Sequence, residues 1–322
     1  MLIGFNSPLV LGHNFSPDES AKFLGLVDII KGEAQSVQDD LASTNVSLAN
    51  QHANRALALV TDNVTKEIAE RNPRLSDDLK TTLITLKSSS EPTPNPSTAN
   101  DINFTVSDLN GILDEIVTAR IDPEKLSNST IQALRLVEIL DGVLRNYGDA
   151  YAVGFDMTNM SMMMGAGGGG MSSMDMGGVG MSSMSSMDMG NVGVGGNMSS
   201  GGNKIGMQVG APTTEGEPPM DGMSMSMGDM SSSQQYKLGN MTDYHTAKIL
   251  AQKVQELFNN RLVNASISGT PATVTNGITA AFQELSSSII DKASPMDVMM
   301  IVHTKIHPNL ITAFGLQLGK ST

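Results

Sequence analysis

The chain has 322 residues, a formal net charge of −13, 39% hydrophobic residues and no cysteine. The acidic balance excludes broad electrostatic attraction to nucleic acid or to an anionic membrane surface. The absence of cysteine excludes disulfides, thiolate zinc sites and cysteine nucleophiles, and the length allows about two domains.

Residues 1–12, MLIGFNSPLVLG, are apolar but lack the basic stretch that opens a signal peptide. Residues 1–15 are read as a disordered start, or the remnant of a signal peptide that begins upstream, with His13 as a spare metal ligand. Ser16-Pro17-Asp18-Glu19 then supplies a cap, a first-turn proline and a capping glutamate. Phe23, Leu24, Val27, Ile30, Ala34, Val37 and Leu41 follow at helical spacing. A second helix runs from Val46 through Ile68 to the stop at Asn72-Pro73, and a third carries Leu75, Leu79, Leu83 and Leu86. The segment 88–100, with three prolines, is a loop. Ser107-Asp108 opens a fourth helix ending near Asp122-Pro123, and 129–151 forms a fifth. The acidic residues on these helices, such as Asp39, Asp40, Asp77 and Asp78, are expected on solvated faces.

Residues 154–240 change character. Of the chain's 24 methionines, 19 lie between Met157 and Met230, spaced by Gly, Ser, Asn and Asp. This composition cannot build a packed core and predicts disorder. Met171-Ser-Ser-Met174-Asp-Met176-Gly recurs as Met184-Ser-Ser-Met187-Asp-Met189-Gly, so the tract grew by local duplication. Met-x-Met and Met-x-x-Met spacings let several thioethers close on one ion, and soft, uncharged thioethers suit Cu(I). The candidate ligands are Met171, Met174, Met176, Met181, Met184, Met187, Met189, Met220, Met223, Met225, Met227 and Met230. Between Met157 and Met230 acidic residues, among them Asp175 and Asp188, outnumber the single Lys204, which favours cation capture and extends the reading to Cu(II).

Beyond the tract, Thr242-Asp243, Thr270-Pro271 and Ser294-Pro295 each open a helix. The flanks match in order: His52-Ala-Asn-Arg55-Ala-Leu57 with His245-Thr-Ala-Lys248-Ile-Leu250, then Leu75, Leu79, Leu83 and Leu86 with Val274, Ile278, Phe282 and Leu285. Ile116-Val117-Thr-Ala-Arg120-Ile121-Asp122-Pro123 also matches Ile301-Val302-His-Thr-Lys305-Ile306-His307-Pro308. The predicted fold is therefore all-α. It is an antiparallel helical bundle built from a duplicated module (16–153, and a shortened copy at 241–318), interrupted by the long Met/Gly/Ser-rich insertion.

Two further groups are candidate ligands. Met299, His303 and His307 lie at i, i+4 and i+8 along one helix stripe, although His307 precedes Pro308 and is biased away from helical geometry. His52 and His245, the matched pair of the repeat, meet at a common centre if the copies pack about a two-fold axis. No nucleophile elbow, phosphate loop, dinucleotide fingerprint or His-Glu-x-x-His is present, so no enzyme is expected.

The stretches NQHANRALALV, ARIDPEKLSNSTIQAL and DGVLRNYGDAYAVG resemble Met-rich extracytoplasmic helical proteins of ammonia-oxidising archaea. That resemblance implies a copper-rich setting at the cell surface, and nine Asn-x-Ser/Thr sequons accord with an exported glycoprotein. No run of about eighteen apolar residues is present, so no transmembrane segment is expected. The expectation is an extracytoplasmic copper-binding protein whose tract scavenges, stores or hands on Cu(I), to a copper-accepting or cell-surface partner, over a helical scaffold. The alternative is a structural or interaction protein of the cell surface using the tract as a flexible tether.

Overall fold

The computed structural model describes residues 18–91, 99–159, 236–265 and 270–317. The start with His13, and the tract with its methionines from Met171 to Met230, lie outside the described residues. Regular structure among the described residues is all helical, without a strand. Before the tract come α1 (Glu19–Ala42), α2 (Val46–Leu59), α3 (Asp62–Arg71), α4 (Pro73–Ser89), α5 (Ala99–Arg120), α6 (Pro123–Ser127) and α7 (Ser129–Ala150). After it come α8 (Met241–Leu257), a π-helical turn at Phe258–Leu262, α9 (Ala272–Ile290), α10 (Pro295–Met300), a π-helical segment at Ile301–Ile306 and α11 (His307–Phe314).

Local chemistry sets the boundaries. The cap of α1 is Asp18, whose carboxylate accepts from the N–H groups of Ser20 and Ala21. Such a cap is worth about 1 kcal/mol. The predicted long second helix is two helices, because the chain leaves helical geometry at Val60 and Thr61 caps α3 by accepting from Val64 N–H. Helix α5 begins well before Ser107, since buried Ile102, Thr105 and Val106 extend its apolar stripe backward. Asn45, Asn128 and Asn240 each head an Asn-x-Ser/Thr triplet, and each caps a helix through its side-chain oxygen. Capping is a structural reason for asparagine at those positions.

The helices close around two cores. One lies among α1–α5 and contains Leu24, Ile30, Leu79, Leu83 and Leu109. The other lies among α7–α11 and contains Leu140, Leu250, Phe258, Phe282 and Phe314. Each fully buried Leu or Phe contributes about 1.5–3 kcal/mol. Helix α1 packs along α2 as α7 packs along α8, and α4 packs on α5 as α9 packs on the π-helical segment and α11.

Where α1 crosses α7, Arg135 grips Asp28 through two nitrogens, with Nη2 2.7 Å from Oδ1. Close by, Glu138 lies directly over Gly25, whose Cβ, if present, would stand 2.7 Å from that of Glu138. The side chain of Glu138 therefore needs a glycine opposite it.

The tract leaves and re-enters at one place. Tyr151 and Met157 are buried just after α7, and His303 Nε2 lies 2.9 Å from the Met157 carbonyl. On return, the N–H groups of Gly239 and Asn240 both donate to the Ala150 carbonyl, at 2.8 and 3.1 Å.

Asp141 on α7 is pushed up to about 7 by burial, which outweighs the lowering by Arg145. The fold thus favours its protonated form. That extra stability is complete below pH ~4 and disappears as pH rises through about 7. Asp141→Asn is expected to stabilise the protein by about 1–2 kcal/mol at pH 8 and negligibly at pH 4, by urea unfolding at the two pH values.

Candidate metal centre

Helix periodicity puts two carboxylates of α1 on one buried face. Glu33 and Asp40 are seven residues apart, two turns along the helix, and only 1% and 3% exposed. The expectation of a solvated face holds for Asp39 but fails for Asp40. Asp40 sits in the last turn of α1, where the helix dipole adds negative potential and favours a cation.

His52, on α2, is fully buried between these carboxylates. Its Nδ1 is 2.7 Å from Glu33 Oε2, and its Nε2 is 3.4 Å from Asp40 Oδ2. The second contact lacks hydrogen-bond alignment, so His52 Nε2 and Asp40 Oδ2 are both buried without a hydrogen-bond partner. His245, at the start of α8, places Nδ1 3.2 Å from Asp40 Oδ1 and leaves 30% of its side chain exposed. The two imidazole rings stack in parallel, 5° apart in plane with centroids separated by 6.1 Å. His52 and His245 thus approach a common centre, with Asp40 as the third member.

The remaining partners hold the carboxylates in place. Glu33 Oε1 takes Arg55 Nε at 3.1 Å and the Thr246 hydroxyl at 3.0 Å. Arg55 continues to Asp243 and Asn146, and the Asn240 side-chain amide donates to Asp243. Burial raises the Asp40 carboxyl above the usual carboxylate range, although His52 and His245 pull it back.

Asp40, His52 and His245 offer three ligand atoms within 4.8 Å of one another, the one such group of three His or carboxylate ligands among the described residues. An ion held tetrahedrally at ~2.0–2.1 Å separates its ligand atoms by about 3.3 Å. Each histidine nitrogen lies near that spacing from one Asp40 oxygen, His52 Nε2 from Oδ2 at 3.4 Å and His245 Nδ1 from Oδ1 at 3.2 Å.

Met299, His303 and His307 are also placed together in the second core, each at most 2% exposed. The chain stays helical through His307 (φ −56°, ψ −47°) despite Pro308. Proline removes an N–H bond to the preceding turn, and the widened π-helical segment before it, with Asn309 Nδ2 donating to the Lys305 carbonyl at 2.7 Å, takes up the mismatch. The rings of His303 and His307 meet edge to face, 5.1 Å apart and 87° in plane, and His303 Nε2 faces the Met157 carbonyl.

No family model, curated protein or solved structure matches the chain. One further likeness within the sequence bears on the site. Leu24-Gly-Leu-Val-Asp-Ile-Ile-Lys-Gly32 on α1 aligns without a gap with Leu134-Arg-Leu-Val-Glu-Ile-Leu-Asp-Gly142 on α7.

Proposed function

We propose that the chain is an extracytoplasmic copper-binding protein, not an enzyme, that holds a metal ion at Asp40, His52 and His245. The Met-rich tract collects Cu(I) and hands it on, and the helices are its scaffold. What supports metal binding is one observation: His52 Nε2 and Asp40 Oδ2 are buried, face each other and make no hydrogen bond, with His245 on the same carboxylate. Unpaired buried polar atoms cost roughly 1–3 kcal/mol each, and an ion between them removes that cost. The copper assignment rests on the thioether density of the tract.

The scaffold is read as two copies of one helical bundle unit, α1–α5 and α7–α11. The α1 and α7 sequences match, each unit has its own core, and the crossing contacts are reciprocal. Residues 25 and 28 of α1 touch 138 and 135 of α7, which are the matched positions in reverse. Such reciprocity is the signature of a two-fold contact. On this reading the tract replaces, in the second copy, the short turn joining α1 to α2, and the metal centre lies between the matched helices α2 and α8.

The test is an anaerobic Cu(I) titration against a chromophoric chelator. The full chain is compared with one in which a short Gly/Ser linker replaces 160–235, a cut that spares buried Met157. Several equivalents for the full chain and at most one for the shortened chain are expected. If neither competes with the chelator, the copper reading fails and the surface-tether reading replaces it.

A further inference from the structure

We propose that the buried centre is specific for a divalent ion of the Zn(II)/Cu(II) class, with Asp40 as ligand and Glu33 as the positioning residue that aims His52. This rests on the metal-binding reading of the cluster and adds to it the charge state of the ion and the residues that select it.

The comparison of α1 with α7 carries the argument. Continuing the ungapped match beyond Gly32 and Gly142 sets Glu33 against Val143 and Asp40 against Ala150. Val143 and Ala150 are completely buried, so on α7 this face is an ordinary apolar packing surface. On α1 the same two positions carry carboxylates, also buried, and these are the two that touch His52. Burying a carboxylate is costly where an apolar residue fits. A helix that tolerates Val and Ala at these positions gains no packing from Glu and Asp; what the carboxylates can do is hold a cation at Asp40 and aim His52 toward it from Glu33.

Charge decides the class of ion. Arg55 pairs with Glu33 and Asp243, while Asp40 is paired only with His52 and His245, so these three carboxylates and one guanidinium leave two negative charges when the imidazoles are neutral, as ligation requires. A divalent ion neutralises both, whereas Cu(I) leaves one buried and uncompensated. The donors agree: two imidazole nitrogens and a carboxylate oxygen suit Zn(II) and Cu(II), while Cu(I) favours sulfur.

Glu33 acts through His52. With Nδ1–H donated to Glu33, the neutral ring presents its Nε2 lone pair toward Asp40. Arg55 and Thr246 fix the other Glu33 oxygen and hence the ring plane. Such outer partners of ligating histidines typically change metal affinity ten- to a hundredfold. The exposed edge of His245 is the side from which an ion enters.

Zn(II) is the probe that isolates this site, because thioethers bind it poorly. The full chain is titrated with Zn(II) by calorimetry, and Cu(II) loaded at one equivalent is read by electron paramagnetic resonance. The expected results are one Zn(II) per chain and nitrogen coupling from two imidazoles. Asp40→Ala, which installs the α7 residue, is expected to weaken Zn(II) more than a hundredfold while leaving the metal-free melting temperature unchanged or higher. Glu33→Gln is expected to keep both imidazoles on Cu(II) and lose ten- to a hundredfold in affinity. Unchanged Zn(II) affinity in either variant overturns the assignment of that residue. If the wild type takes one Cu(I) at the histidine pair and no Zn(II), the divalent assignment is wrong and the metal-binding reading survives. No ion of either kind at the histidine pair ends both.

Discussion

Replacing His52 with alanine is expected to destabilise the metal-free protein by about 3–5 kcal/mol, the cost of breaking a buried ionic group from one side. The ring separates Glu33 from Asp40, and all three are almost completely buried. Its removal leaves a cavity and takes from Glu33 its 2.7 Å partner. Arg55 and Thr246 still hold one Glu33 oxygen, and His245 still holds one Asp40 oxygen, so the loss stays within this range. His245→Ala is the contrasting variant. With 30% of its side chain in solvent, this histidine is replaceable by water, and about 1 kcal/mol is expected. Both variants are expected to lose the stabilisation that Zn(II) gives the wild type. Urea unfolding with and without Zn(II) reads both quantities. A His52→Ala loss below about 1 kcal/mol means that water already reaches the two carboxylates, contrary to their burial.

Part of this candidate centre was legible in the sequence. His52 and His245 stand out because they head similar segments on α2 and α8, and the structure brings both to Asp40. Asp40 and Glu33 did not stand out, because a carboxylate on an amphipathic helix usually faces water. The missed signal is positional. Glu33 lies three residues after Ile30 and four before Val37, and Asp40 three after Val37, so both border the apolar stripe. The helical class was readable from spacing throughout, whereas boundaries depended on single polar groups. Ser294 caps α10 as its sequence suggests, through a hydroxyl accepting from Asp297 N–H. The break at Val60–Thr61 was hidden because Val60 and Val64 keep helical spacing across it. The histidine, leucine and Asp-Pro matches pair α2, α4 and α5 with segments after the tract but pass over the likeness of α1 to α7, which lies before it.

Arg135→Ala carries the other large effect, at the crossing of α1 and α7. Asp28 is 1% exposed there and is held by two guanidinium nitrogens, with Gln132 Oε1 accepting from a third at 3.0 Å. Without Arg135, an ionised Asp28 is stranded between two helices, and about 3–5 kcal/mol of stability is expected to be lost. The double variant Asp28→Leu/Arg135→Leu separates the cost of a broken pair from the worth of an intact one. Replacing both partners with apolar residues removes the desolvation penalty together with the attraction, so the double variant is expected to be markedly more stable than Arg135→Ala. The close approach of the helices beside this pair adds a condition. Glycine at 25 opposite Glu138 keeps the helices close, and the Asp28 side chain is enclosed (1% exposed) where Arg135 keeps 12% of its side chain in solvent. Asp28→Ala/Arg135→Leu is therefore expected to be the better apolar replacement, since it puts the larger side chain on the side where arginine already fits. A double-mutant cycle by chemical unfolding measures the coupling. An Arg135→Ala loss no larger than that of an exposed ion pair, about 1 kcal/mol or less, means that solvent reaches Asp28 and the crossing is looser than its contacts imply.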